Sequence, residues 1–135
     1  MALVLQKASL TMDAARRIAE AAVARAEQDG LKIAVAVVDQ EGAPLALLRM
    51  DGVPAPIAEF ALDKAYTAAV TGAKTKDFFE HIDSSPALRL GLISRSRLLV
   101  WGGGVPAGGG WPDCRRRRGV GRSGRGRYRL RATCP

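Results

Sequence analysis

The chain has 135 residues, a formal net charge of +8, two cysteines and one histidine. That length fits a single domain, and no apolar run approaches the roughly 20 residues that a membrane span needs. The charge does not argue for a nucleic-acid partner, because it is confined to one end: twelve Lys/Arg balance twelve Asp/Glu up to Pro106, whereas nine Arg face only Asp113 from Ala107 onward.

This division predicts two parts, an α/β domain over residues 1–106 and an Arg/Gly-rich tail over 107–135. Cys114 and Cys134 both fall in the tail, so the domain is expected to carry no thiol chemistry, disulfide or Cys-based metal site. Those cysteines with the lone His81 do not supply the four ligands of a structural zinc site. Met1–Lys7 lacks the basic start and long apolar stretch of a secretory signal. The expectation is a cytoplasmic protein with no specific nucleic-acid partner and no membrane contact.

In chain order, Thr11 is placed to cap a helix from Met12 to Gln28, with Asp13 in the first turn and Gly30 just past its end. Ile33 to Val38 is short, apolar and β-branched, which predicts a buried strand. Asp39-Gln40-Glu41-Gly42 has turn chemistry, and Leu45 to Met50 is expected to return as the second strand of a hairpin. A second helix is predicted from near Pro56 to Gly72. Thr75 is expected to cap a short helix over Lys76–Ile82, and Ser84-Ser85-Pro86 is expected to be loop. Leu98-Leu99-Val100-Trp101 is taken as a third strand, ended by Gly102-Gly103-Gly104-Val105-Pro106.

Among the polar residues, Arg49 and Asp51 flank the end of the hairpin, and Lys64 falls on an alanine-rich helix. An arginine and a lysine so placed suit a ligand carboxylate, which they orient by charge-assisted hydrogen bonds. Gly102-Gly103-Gly104 lacks the strand–GxGxxG–helix context of a dinucleotide site, though the N–H groups of such a turn can receive an anion. No serine has a partnered base, so no nucleophilic triad is proposed.

Several stretches together resemble the GlcG/HbpS-like family. They are Ala36-Val37-Val38-Asp39 with Gly42 and Leu45 through Asp51, then Lys64-Ala65-Tyr66-Thr67-Ala68-Ala69 followed by Thr75, then Gly102 to Pro106. The resemblance covers residues 3–106. It implies an α/β (α+β) fold, an antiparallel sheet flanked by helices in a profilin-like three-layer arrangement. It also implies a homo-oligomer that binds haem or a corrinoid in an accessory role, beside small-organic-acid or diol catabolism. Carried onto this chain, the ligand-binding residues would be Arg49, Asp51, Lys64, Thr67, Gly103 and Gly104. The only axial-ligand candidates are His81, Met50, Tyr66 and the hydroxyl of Thr67.

Proteins of this kind continue after the glycine turn with a further hairpin and a C-terminal helix, which the tail does not resemble. Shifting the tail by one nucleotide permits Gly108–Gly121 to read Val-Val-Asp-Gly-Arg-Ile-Val-Gly-Ala-Val-Gly-Val-Ser-Gly, which does. The tail is therefore expected to be frameshift-derived. Two rival readings remain: a small catabolic enzyme acting on an oxo or hydroxy acid, with Lys64 or Asp51 as acid–base and Arg49 as anchor, and a non-functional remnant whose open sheet edge promotes aggregation. Resequencing the coding DNA from the Gly102 codon past Pro135 is expected to reveal the one-base shift. An unchanged frame would defeat that expectation.

Overall fold

The computed structural model describes residues 3–107. The Arg/Gly-rich stretch from Gly108 onward, with its expected frameshift and both cysteines, lies outside the described residues.

The first helix, α1 (Met12–Gln28), begins where Thr11 adopts an extended conformation and its Oγ1 accepts a hydrogen bond from the Ala14 N–H at 3.2 Å. It ends in a Schellman motif. Gly30 has φ of +68°, its N–H donates to the Glu27 carbonyl, and the Leu31 N–H donates to the Ala26 carbonyl. A glycine takes this left-handed conformation without the steric cost of a Cβ. Arg16 pairs with both Asp13 and Glu20 along the exposed side, and these two carboxylates hold its guanidinium above the ordinary range.

Strands β1 (Ala34–Val38) and β2 (Pro44–Arg49) form the predicted antiparallel hairpin. Asp39 closes the turn: its Oδ1 accepts from the N–H groups of Glu41 and Ala43, both at 2.9 Å. The register shifts by one between Val37 and Val38, which leaves Leu45 as an extra residue on β2. Such a bulge turns consecutive side chains toward the same side, and Leu45 and Ala46 both pack with α1.

The hairpin lies between two helices. Ala15 and Ala19 of α1 have no exposed surface and pack on Val35 and Val37. Helix α2 (Ala55–Thr71) also packs on β1, and strand alternation gives it the opposite face, that of Ala34, Ala36 and Val38. The result is the expected mixed α/β arrangement in three layers, built on alanines because a side chain of one carbon lets a helix axis come close to a sheet. Helix α2 starts with Pro56 in its first turn and stops at Gly72, whose φ is +66°.

Three local expectations need correction. Thr75 does not cap the next helix: α3 (Thr75–Asp83) has Lys74 at the cap position, and the Thr75 hydroxyl is used across the fold instead. Of the expected loop Ser84-Ser85-Pro86, only the two serines lie between helices, and Pro86 begins a fourth helix, α4 (Pro86–Leu92). Proline suits a first helical position, and Leu88 and Leu92 are drawn onto Phe78 and Ile82 of α3. The third strand, expected at Leu98–Trp101, is not formed among the described residues, where the sheet has two strands. A strand needs a partner ladder, and the Leu99 N–H donates to the Thr67 hydroxyl at 2.9 Å instead. Leu98 and Val100 still serve as core, against the α3–α4 cluster.

Thr67 is the clamp that makes this possible. It is fully buried, and its Oγ1 lies 2.7 Å from the Asp63 carbonyl and 3.2 Å from that of Arg97 while accepting from Leu99. Thr67→Val keeps the shape but strands the Leu99 N–H, so a cost of about 1–3 kcal/mol is expected. Thermal or urea unfolding measures it, and an unchanged stability would contradict the clamp.

Candidate functional site

Lys64 lies in the middle of α2 and is half-buried, and its ammonium has no hydrogen bond or ion pair among the described residues. The glycine turn stands directly beside it. A Cβ on Gly103, whose φ is +116°, would lie 3.7 Å from the Lys64 Nζ. A Cβ on Gly104 would lie 2.5 Å from the Lys64 carbonyl oxygen and 2.6 Å from the Thr75 Cγ2. The turn is thus pressed onto the backbone of α2 in a way that only glycine permits. It is held there by a reciprocal pair: the Gly104 N–H donates to the Thr75 Oγ1 at 3.1 Å, and the Thr75 N–H donates to the Gly104 carbonyl at 3.1 Å.

The same side of α2 carries the segment leading into the turn. Trp101 meets Phe60 edge to face, with ring centroids 5.2 Å apart and planes at 76°. The Arg97 guanidinium lies 4.0 Å over the Tyr66 ring centroid, and its Nε is 3.4 Å from the Asp63 carboxylate. The Tyr66 ring in turn fills the space where a Cβ on Gly42 would sit. Phe60, Asp63, Lys64 and Thr67 follow the i, i+3, i+4, i+7 spacing of one helix face. That spacing could have flagged α2 as the carrier of a strap. Nothing in the sequence alone pairs Thr75 with Gly104.

The predicted site residues therefore fall into separate groups. Lys64, Gly103 and Gly104 come together. Thr67 lies one helical turn beyond Lys64 on α2, but its hydroxyl is committed to backbone groups. Arg49 and Asp51 lie with Met50, Lys32 and Glu27 around a second, shallow concavity of about 470 Å³ at the far end of the hairpin. There Arg49 donates to the Val53 carbonyl at 2.6 Å, and the Met50 Sδ accepts from the Ile33 N–H at 3.4 Å. Lys64 lines neither that concavity nor a site shared with Asp51, so the acid–base arrangement of the catabolic-enzyme reading is not assembled among the described residues.

A larger cavity of about 810 Å³ runs along β1 between α1 and α2. Its walls include Leu10, Ile18, Val37, Ala69, Val105 and Pro106. Its one ionisable wall residue among the described residues, Asp39, spends its Oδ1 on the hairpin turn. Iron in a haem takes imidazole, thiolate, thioether or phenolate ligands. None of these lines the cavity among the described residues: His81 is in the last turn of α3, and Met50 and Tyr66 are engaged as described. The residues present accordingly do not fit an axially ligated haem. The described residues also hold no cluster of three or more His, Cys, Asp or Glu able to bind a metal ion, and no helix long and apolar enough to cross a membrane.

Residues 10–113 match the model of a family described as haem degrading protein HbpS-like. The chain belongs to this family. Among solved structures, it is 36% identical to HbpS, with a TM-score of 0.71 over 78% of this chain and 72% of that one. The Klebsiella pneumoniae protein ORFY is 25% identical, with a TM-score of 0.72 and coverage of 78% and 74%. A Streptomyces reticuli HbpS carrying two Glu-to-Asp changes is 35% identical, with a TM-score of 0.70 and coverage of 78% and 69%. No curated protein matches the chain. The hairpin, central helix and glycine turn that resembled the family in sequence all lie within the matched span. That span ends at Asp113, just before the run Arg115–Arg118.

In this HbpS-like chain the turn at Gly104 leaves no room for a Cβ. Gly104→Ala is expected to cost about 1–3 kcal/mol through overpacking against backbone that cannot move aside. Gly102→Ala meets nothing within 4 Å and should stay within about 0.5 kcal/mol of the parent. Paired thermal melts of the two variants check the contrast.

Proposed function

We propose that the chain is a haem-related accessory protein that binds a tetrapyrrole through its carboxylates, haem first and a corrinoid as the second member of the class. The observation that carries this reading is the Lys64 ammonium, half-buried and unpaired among the described residues beside the Gly103–Gly104 turn. A half-buried cation without a counter-charge favours an anionic ligand, and charge-assisted hydrogen bonds to carboxylates are among the stronger polar contacts. The family described as haem degrading supports a tetrapyrrole as the bearer of those carboxylates.

Lys64 is not itself a wall residue of the cavity along β1, but it stands next to two of its walls. Its neighbour Ala65 lines one wall, and the turn it touches leads into Val105, Pro106 and Ala107 on another. The cavity supplies apolar surface for a flat macrocycle, while Lys64 supplies the charge. Arg49, with Lys32 and Asp51, is assigned a separate and weaker role as an exposed polar rim, where ion pairs contribute little. Gly103 and Gly104 act by letting the turn approach Lys64, and Thr67 acts by holding the strap beneath it. A homo-oligomer is the working assembly under this proposal.

The test is a titration with ferric haem, followed by its absorbance, on the parent and on Lys64→Gln. Loss of one charge-assisted bond is expected to weaken binding about tenfold or more. Arg49→Gln should change it by less than about threefold, since Arg49 stands at the other concavity. Absence of haem binding by the parent would overturn the proposal, and an unchanged affinity in Lys64→Gln would remove its anchor.

A further inference from the structure

The shallow concavity of about 470 Å³ at the far end of the hairpin has a size that suits a small molecule. Its lining combines Val23 of α1, Leu48 and Met50 with four charged side chains, Glu27, Lys32, Arg49 and Asp51. We propose that it binds a small zwitterion, an α-amino acid with an aliphatic side chain. The inference does not rest on haem binding, which involves Lys64 on another part of the molecule.

Unpaired charge sets this place apart. Elsewhere on the chain Arg16, Arg25 and Arg97 each close on a neighbouring carboxylate within 3.4 Å. Around the concavity, none of the four charges forms an ion pair with another among the described residues. The backbone gives the reason. Antiparallel pairing sets Ala34 opposite Arg49, and the Met50 N–H continues the ladder to the Ile33 carbonyl at 3.1 Å, so Lys32 and Asp51 come next in register. Instead of closing on Asp51, the Lys32 ammonium lies over the turn that follows. A Cβ on Gly52, whose φ is +83°, would stand 3.0 Å from the Lys32 Nζ.

Arg49 is likewise oriented by the chain, through its bond to the Val53 carbonyl at 2.6 Å. A guanidinium has five N–H donors, so others stay available for a ligand. Glu27 comes from α1, one turn beyond Val23 on the same face. Neither its carboxylate nor that of Asp51 has a hydrogen bond among the described residues.

Two cations and two carboxylates cancel, so the concavity has no net charge with which to draw a simple anion. It favours a ligand that carries both signs. The carboxylate of an amino acid accepts charge-assisted hydrogen bonds from Arg49 and Lys32, its ammonium donates to Asp51 and Glu27, and its aliphatic side chain covers Val23 and Leu48. The four charged side chains are exposed. Water therefore weakens each contact, and the expected dissociation constant is on the order of millimolar.

The experiment titrates L-leucine into the full-length protein and follows the backbone amide resonances by NMR. Two analogues of the same skeleton run beside it: isocaproate, which lacks the ammonium, and isoamylamine, which lacks the carboxylate. Leucine is expected to give saturable shifts at Lys32 and Met50–Val53, with each analogue about threefold or more weaker. Either analogue binding as tightly as leucine would overturn the zwitterion assignment. No saturation by leucine below about 50 mM would overturn the site itself. Lys32→Gln and Asp51→Asn alter side chains that make no hydrogen bond among the described residues. Each should weaken leucine by about threefold, and unchanged affinity in both would sink the inference. Lys64→Gln should leave leucine binding as it is, which separates this result from that of the haem titration.

Discussion

The described structure depends on the close approach of one backbone to another at Gly104. The missing side chain lets the turn rest on the carbonyl of Lys64, and Thr75 secures it with a hydrogen bond in each direction. This contact joins three parts of the chain at one point: the middle of α2, the start of α3 and the end of the strap. It also explains why Thr75 does not act as a helix cap. Its hydroxyl accepts from the Gly104 N–H, a partner 29 residues away, and that partner is the one that ties the molecule together.

From that joint the strap runs back along α2 through three kinds of contact. Trp101 and Phe60 contribute apolar area, Thr67 supplies hydrogen bonds to the backbone of the strap, and Arg97 lies against both the Tyr66 ring and the Asp63 carboxylate. The buried Thr67 contacts carry more of the stability than the exposed Arg97 pair, because water screens the latter. Phe60, Asp63 and Thr67 lie on one face of α2, and Lys64 stands on that face as the residue without a partner among the described ones. A helix surface otherwise devoted to holding a strap thus carries one charge that is unpaired among the described residues.

On the other side of the molecule, the hairpin is held by alanines rather than large side chains. Ala15 and Ala19 bring α1 close to Val35 and Val37, while α2 brings Ala65, Ala69 and Gly72 to the same neighbourhood from the opposite layer. Small residues that allow close packing where the layers meet also leave space where they diverge. The cavity along β1 follows from that geometry, and its apolar character follows from the residues needed to build the layers.

Much of this was legible in the chain itself. The ends of α1, the Asp39 turn, the hairpin and the length of α2 follow from capping, turn and periodicity rules that act within a few residues, so they can be read locally. The resemblance carried by Ala36–Asp51, Lys64–Ala69 and Gly102–Pro106 located the family correctly. Other features were decided only by tertiary structure. Leu98–Trp101 has the composition of a strand, but its Leu99 N–H found Thr67 on α2 in place of a ladder. Pro86–Leu92 is too short for its periodicity to be seen, and became helical against the apolar side of α3. Arg49 and Lys64 both looked suited to one carboxylate, yet they stand in separate places because the hairpin end and the middle of α2 are different ends of the same packing. Sequence determines what a residue can do within a turn or two of its neighbours; which distant groups it meets is decided when the layers pack, and the free charge of Lys64 is a result of that packing.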